Sequence, residues 1–206
     1  GFGEFAVSTE GTKLSVATSI SQSEPGSSLK VYQVEGDTTS FSIGLSHPFI
    51  RSRKENLNYH LNFTSRNSET DLLNRTLSKD HLRVIDLGMS YDFLDRFLGV
   101  NLISMSITKG IDMFGATETG SSNLSRSDGH SDFTKISGDL LRLQQLGDGW
   151  SLLGSLTWQY AFDRLLSSEE FGLGGSQLVR AYDPSEVTGD QGYGLKVEIQ
   201  KGIKTN

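Results

Sequence analysis

The stretch Leu57-Asn58-Tyr59-His60-Leu61-Asn62-Phe63-Thr64 decides the fold class of this chain. Every odd position in it is apolar or aromatic and every even position is polar, which is the period expected of a β-strand with one apolar face. Segment 85–93 shows the same alternation, and segment 150–160 adds aromatic residues near both ends of one face. These patterns predict strands that present one face to hydrocarbon, with aromatic girdles at its edges, and the other face to water.

Weaker alternation predicts further strands, so the chain has about eight in all. They are 14–21, 39–47, 57–64, 85–93, 101–108, 133–144, 150–160 and 193–200. In 133–144 the apolar residues change from one face to the other, which allows a bulge.

The connections between these strands alternate in length. The long ones are 22–38, 65–81, 109–132 and 161–192, and the short ones are 48–56, 94–100 and 145–149. This asymmetry is typical of bacterial outer-membrane barrels, which have brief periplasmic turns and longer extracellular loops. The polar composition of 117–130 is compatible with a mobile loop. Strand alternation alone leaves a soluble all-β domain with one wet face as an alternative, and the loop asymmetry favours a transmembrane barrel.

Composition excludes several classes of function. The 206 residues include no cysteine, which removes disulfide frameworks, thiolate zinc sites and cysteine nucleophiles. A net charge of −6 gives no support to a nucleic-acid partner. No run of about 18 apolar residues predicts a transmembrane helix. The mean hydropathy of −0.32 remains compatible with a membrane barrel, because only every second strand residue must face lipid.

No catalytic or metal-binding motif is complete. Asp128, His130 and Asp132 place donors at alternate positions of a loop, but they do not meet the calcium-loop consensus, so we interpret them as a solvated acidic loop. We interpret Asp95 and Arg96 as charges that keep a turn in water. We therefore expect no catalytic residue, metal or cofactor.

The loop segment 165–192 differs from the other connections, because it combines several glycines with apolar residues that are unusual in a solvated loop. The apolar residues are Phe171, Leu173, Leu178, Val179 and Tyr182. We expect this loop to fold inward against the inside of the barrel. Arg180 then needs a carboxylate or several acceptors to offset its desolvation.

At this loop the sequence resembles the outer-membrane transporters of two-partner secretion, the haemolysin activator and secretion family, which are related to the barrel-assembly protein BamA. The resemblance covers essentially the whole chain. The matching stretches are 44–53 with Asn56 and Leu57, 80–87, 91–101 around Asp95 and Arg96, 132–135, and 159–162 leading into 168–171.

The resemblance implies a barrel of about sixteen strands, preceded by periplasmic domains that recognise an unfolded secreted partner. In the family the long loop carries a Val-Arg-Gly-Tyr or Val-Arg-Gly-Phe motif, which stands here as Val179-Arg180-Ala181-Tyr182. Its arginine is expected to meet an acidic residue on a later strand outside this chain. Ala181 in place of glycine makes a positive φ costlier at that point. We assign the support of the loop to Glu170, Phe171, Gly174, Gly175, Asp190 and Gly192.

We therefore expect residues 1–206 to form one segment of a larger, monomeric antiparallel transmembrane β-barrel in the bacterial outer membrane, with the periplasmic recognition domains and the final strands outside this chain. The implied function is conduction of an extended secreted exoprotein, of haemolysin or adhesin type, without ATP. Its partners are then this exoprotein and outer-membrane lipid. An outer-membrane esterase or phospholipase, a passive porin and a barrel-assembly factor remain alternatives.

Overall fold

The computed structural model describes residues 1–23, 34–73, 75–173 and 187–202. Regular structure in these ranges is almost entirely antiparallel β-strand. The strands are β1 (Phe2–Ala6), β2 (Lys13–Ser23), β3 (Val34–Arg51), β4 (Glu55–Leu72), β5 (Arg75–Leu94), β6 (Gly99–Gly110), β7 (Thr134–Gly147), β8 (Trp150–Ala161), β9 (Phe171–Leu173), β10 (Val187–Gly189) and β11 (Gly192–Lys201). No helix in this part of the chain is long and apolar enough to cross a membrane.

Nine of these strands form one sheet in the order β1-β2-β3-β4-β5-β6-β7-β8-β11, and β9 and β10 form a separate hairpin. In the described residues β1 and β11 are the two edge strands of the large sheet. All eight predicted strands are present. The prediction missed β1, β9 and β10, which have five, three and three residues, because such short runs show no recognisable period.

The two faces of the sheet have opposite character across neighbouring strands. Leu61 on β4 is opposite Leu87 on β5, which is opposite Ile107 on β6. These three side chains are 48%, 54% and 52% exposed and form part of an apolar outer face. On the inner face, Asp86 Oδ1 lies 2.9 Å from His60 Nε2, and Thr108 Oγ1 donates a 2.8 Å hydrogen bond to Asp86 Oδ2. This division is the one predicted for a barrel wall between lipid and a polar lumen.

Aromatic residues pair near both ends of the outer face. The rings of Tyr91 and Phe93 are stacked with centroids 4.8 Å apart near one end. Tyr160 and Phe162 form an edge-to-face pair at 5.1 Å near the other. This placement agrees with the predicted girdles.

The two ends of the sheet differ in their connections. At the short-turn end, the strands join through 52–54, 95–98 and 148–149. At the long-loop end, the connections 111–133 and 162–191 are much longer.

The predicted long loop at 65–81 is wrong, because β4 and β5 continue through it to Leu72 and from Arg75. A transmembrane strand needs only about 9–11 residues, so this hairpin extends beyond the apolar band. Both of its faces are polar there, and the sequence loses its alternation while the backbone hydrogen bonds continue.

The change of face in β7 is not a bulge within 134–144. The register with β6 runs without a break from Thr134 to Gln144, and the irregularity lies between Gln145 and Gly147. Leu141 and Leu143 therefore lie on the inner face near the short-turn end, whereas Arg142 is on the outer face. At this edge of the wall the inner face therefore carries apolar side chains and the outer face carries a charged one.

A small hydrophobic core lies on the inner face at the long-loop end. Its members come from β5, β8 and both long connections, and they are Leu82, Val84, Phe133, Ala161, Leu165 and Leu166. Phe133, Leu165 and Leu166 are fully buried, and Ser131 is 2% exposed. The connection 111–133 is thus packed into the mouth of the wall, contrary to the mobility that the composition of 117–130 allowed.

Asp95 does more than keep its turn in water, which corrects the interpretation of the Asp95-Arg96 pair. Its carboxylate accepts hydrogen bonds from the backbone N–H of Phe97 and Gly99 at 2.9 and 3.0 Å. It also accepts a hydrogen bond from the Arg142 side chain on β7. Asp95 therefore shapes the turn and joins it to another strand.

Candidate functional site

The candidate site is the root of the long loop, which we define as residues 162–173 and 187–191. Pairing of β9 with β10 brings its two sides together, with Leu173 opposite Val187 and Phe171 opposite Gly189. Leu165 and Leu166 pack into the hydrophobic core on the inner face. Burial of these two leucines explains why the root packs against the inner face of the sheet instead of standing in solvent.

Glu169 fixes the root to the inner wall. It lies at the end of a 3₁₀ turn, Ser167–Glu169, and is only 8% exposed. Its carboxylate lies 2.8 Å from Lys135 Nζ on β7 and 2.9 Å from Arg66 Nη1 on β4. The Glu169 carbonyl oxygen accepts further hydrogen bonds from Lys135 Nζ and from Gln159 Nε2 on β8. Two cations thus compensate for the burial of the carboxylate, and the Gln159 amide satisfies the backbone carbonyl.

The adjacent Glu170 points to the other long connection. Arg126 Nη1 lies 2.9 Å from Glu170 Oε1 and 2.5 Å from Asp190 Oδ1, and it also donates a 2.9 Å hydrogen bond to the Leu165 carbonyl oxygen. Asp190 Oδ1 accepts a 3.0 Å hydrogen bond from the Leu165 N–H. A single guanidinium therefore contacts both sides of the root.

Arg126 and Asp190 stabilise each other's charged forms. The hydrogen bond that Arg126 donates to Asp190 raises the pKa of Arg126, against the opposing effect of burial. Burial acts to raise the pKa of Asp190, but hydrogen bonds from Arg126 and the Leu165 N–H outweigh it and lower that pKa overall. Both shifts keep Arg126 and Asp190 ionised at neutral pH.

Phe171 and Gly192 make a close contact at the first residue of β11. A Cβ atom at Gly192 would overlap the ring of Phe171. Gly192 is opposite Gln159 on β8, on the same face as the hydrogen bonds to Glu169. Absence of a side chain at this position leaves room for the aromatic ring against the inner wall.

The structure brings together four of the residues to which the sequence assigned loop support: Glu170, Phe171, Asp190 and Gly192. The other two, Gly174 and Gly175, lie outside the described residues, as does the motif Val179-Arg180-Ala181-Tyr182.

Sequence reasoning missed Arg126, the partner of Glu170 and Asp190. It also missed Glu169 and the residues that bind it, which are Arg66, Lys135 and Gln159. Lys135 and Glu169 lie within stretches that resemble the transporter family. Arg126 lies in a polar loop with no pattern to distinguish it.

The described residues contain no group of three His, Cys, Asp or Glu side chains placed to hold a metal ion. Asp128 lies 3.3 Å from Arg164, and His130 Nδ1 lies 3.6 Å from Asp132. The Asp128 and Asp132 side chains are 56% and 54% exposed, in agreement with a solvated acidic loop. Within the same ranges, the side-chain partners of the wall histidines are Asp86 for His60 and Thr12 for His47, so neither forms a serine-histidine pair.

The apolar outer face, the polar inner face and the loop root packed on that inner face define a segment of a transmembrane β-barrel. A family model for the haemolysin secretion/activation protein ShlB/FhaC/HecB matches residues 8–205. The chain belongs to this family, and the predicted resemblance is confirmed. These proteins are outer-membrane β-barrels of a secretion family rather than an enzyme family. The predicted location and the expectation of a non-enzyme are therefore confirmed.

Two solved structures are similar to this chain in fold. CdiB from Escherichia coli has a TM-score of 0.74 and 22% identity, over 95% of this chain and 36% of that one. CdiB from Acinetobacter baumannii has a TM-score of 0.72 and 19% identity, over 94% of this chain and 35% of that one. The chain thus spans about a third of the length of these structures. No curated protein sequence matches it.

Proposed function

We propose that the protein containing this chain secretes an unfolded exoprotein across the outer membrane by two-partner secretion. Membership of a haemolysin secretion and activation family supports this proposal. The observation that carries it is the position of Glu169, which is paired with Lys135 and Arg66 on the inner wall. A loop root held inside the barrel mouth lies where an extended polypeptide would pass.

Several finer points belong to the same proposal. Residues 1–206 are one barrel segment, and the periplasmic recognition domains and the closing strands belong to the rest of the protein. The exposed apolar outer face contacts outer-membrane lipid, and the barrel works as a monomer. The partner is a large exoprotein of haemolysin or adhesin type, with the polar inner face lining its route. A passive porin would share this wall but would release no specific exoprotein.

The experiment is secretion of the exoprotein encoded beside the full-length transporter gene. Arg180 provides the test of the loop motif, because a desolvated guanidinium needs an acidic partner on the wall. We expect Arg180→Ala to reduce the amount of exoprotein in the medium while membrane insertion remains unchanged. Immunoblots of the medium and of isolated outer membranes measure both quantities. Undiminished secretion by Arg180→Ala at normal insertion would contradict the proposed role of the motif.

A further inference from the structure

We propose that Arg126 is a positioning residue for the long loop, and that its guanidinium holds both sides of the loop root in place on the inner side of the wall. The inference rests on the proposed function, because the position of the root affects secretion only if the polypeptide passes through the barrel.

The geometry places Arg126 between the two sides of the root. Leu165 and Glu170 precede the loop tip in sequence and Asp190 follows it, yet Arg126 Nη1 contacts all three within 2.9 Å. Arg126 itself lies on the separate connection 111–133. One side chain from outside the loop thus fixes its entry and its exit relative to each other.

The connection that carries Arg126 is itself attached to the wall. On β5, the Lys79 N–H donates to the Asn123 carbonyl oxygen at 2.6 Å, and the His81 N–H donates to Thr117 Oγ1 at 2.7 Å. The Ser125 N–H, one residue before Arg126, donates to Asp80 Oδ1 at 3.1 Å. Arg126 therefore joins the root to β5, a strand that the root does not pair with.

Because of the charges around Arg126, its removal is expected to displace the loop root. Glu170 and Asp190 have side chains that are 11% and 19% exposed, and both lie against the same guanidinium nitrogen. Without Arg126, two poorly solvated carboxylates face each other across the root. Their mutual repulsion and incomplete hydration favour separation of its two sides.

The chain also offers a matched control outside the root. Lys79 on β5 lies at the same end of the wall, is 48% exposed and pairs with Glu69 at 3.2 Å. Lys79→Gln removes one positive charge from this end, yet it leaves the backbone hydrogen bond to Asn123 and the contacts between Arg126, Glu170 and Asp190 in place. A general effect of net charge at the barrel mouth would appear equally in both variants.

The test uses the full-length transporter with three variants: Arg126→Gln, Arg126→Lys and Lys79→Gln. Heat-modifiable migration of outer-membrane samples measures barrel insertion, and planar bilayers measure single-channel conductance. We expect larger and noisier currents for Arg126→Gln, with secretion reduced at least about fivefold, the lower end of typical coupling between sites. Arg126→Lys keeps the charge without the planar fork, so it gives intermediate values. Lys79→Gln behaves as wild type.

Conductance per inserted molecule separates positioning from stability, because a merely destabilised barrel inserts less often but conducts normally. Wild-type currents and secretion from Arg126→Gln would overturn the inference. If that variant does not insert, Arg126→Gln combined with Glu170→Gln and Asp190→Asn removes the unpaired carboxylates. Altered currents in this triple variant support the inference, and normal currents overturn it.

The proposed function can be contradicted independently of the inference about Arg126. Absence of exoprotein secretion by the wild-type transporter contradicts that function, while the conductance measurements still decide the role of Arg126.

Discussion

The two ends of the sheet use ion pairs of similar length in very different surroundings. At the long-loop end, Lys135 and Glu169 lie 2.8 Å apart with side chains that are 12% and 9% exposed. At the short-turn end, Arg142 and Asp95 lie 2.5 Å apart, with 43% and 19% exposure. The first pair fixes a loop across the inner wall, and the second joins a turn to a strand on the outer rim. Burial and position, rather than pair length, distinguish the two.

The largest expected effect tests the buried side of this comparison. Removal of one partner from a buried ion pair costs about 3–5 kcal/mol, because the other charge remains desolvated. We expect Glu169→Ala to destabilise the root by about this amount, because it leaves Lys135 without its carboxylate. Hydrogen exchange of the amides of residues 165–173 in the full-length protein measures the change. Glu169→Gln keeps an acceptor oxygen and serves as the control, with a smaller loss of protection against exchange. Unchanged protection in Glu169→Ala would show that the wall does not hold the root.

We expect an effect of intermediate size on the stability of the root when the pH is lowered. Asp190 faces Arg126, Glu170 and Arg164, and its pKa in the folded protein is lowered below the ordinary value of 3.8. When folding lowers the pKa of a carboxyl group, the ionised group stabilises the folded state. This stabilisation is complete at pH values above the pKa of the unfolded chain, and it is lost as the pH falls through the pKa of the folded protein. We expect the root to loosen as pH decreases below about 4.

Hydrogen exchange, corrected for the intrinsic dependence of exchange on pH, measures this change in residues 165–173. Asp190→Asn provides the control, because it removes the titrating group and with it this part of the acid response. An equal acid response in Asp190→Asn and wild type would exclude Asp190 as the cause.

The smallest expected effect lies at the short-turn end. Backbone hydrogen bonding from Gly99 is the main cause that lowers the pKa of Asp95 to about 2, and Arg142 adds to it. Since the backbone N–H groups remain, Arg142→Ala leaves the turn intact. We expect conductance and secretion of the full-length protein to remain at wild-type levels, with only a slight change in stability. A marked loss of secretion would mean that this rim also takes part in transport.

Much of the wall could be predicted from the sequence. Alternation in 57–64 and 85–93 depends on local geometry, since successive side chains of a strand point to opposite faces. It therefore located strands and faces without knowledge of their neighbours. The β4–β5 extension escaped prediction, because outside the apolar band both faces carry polar residues and the alternation disappears.

Only part of the candidate site could be predicted from the sequence. Phe171 and the glycines of the long loop indicated inward packing, because apolar residues are unusual in a solvated loop. The partners of Glu170 and Asp190 were not indicated, since Arg126 lies on a different connection in a polar segment without periodicity. Ion pairs between loops carry no local signal in the chain that forms them.

The sequence by itself determined an all-β chain with one apolar face, and it identified 161–192 as a long loop whose apolar residues distinguish it from the other connections. Only the tertiary structure decided how that loop is held, with Glu169 bound to β4 and β7 and Arg126 between Glu170 and Asp190. The physical reason is the range of the interactions. Alternation is fixed by each strand's own backbone, whereas desolvated charges need partners that the folded sheet brings together from distant parts of the chain.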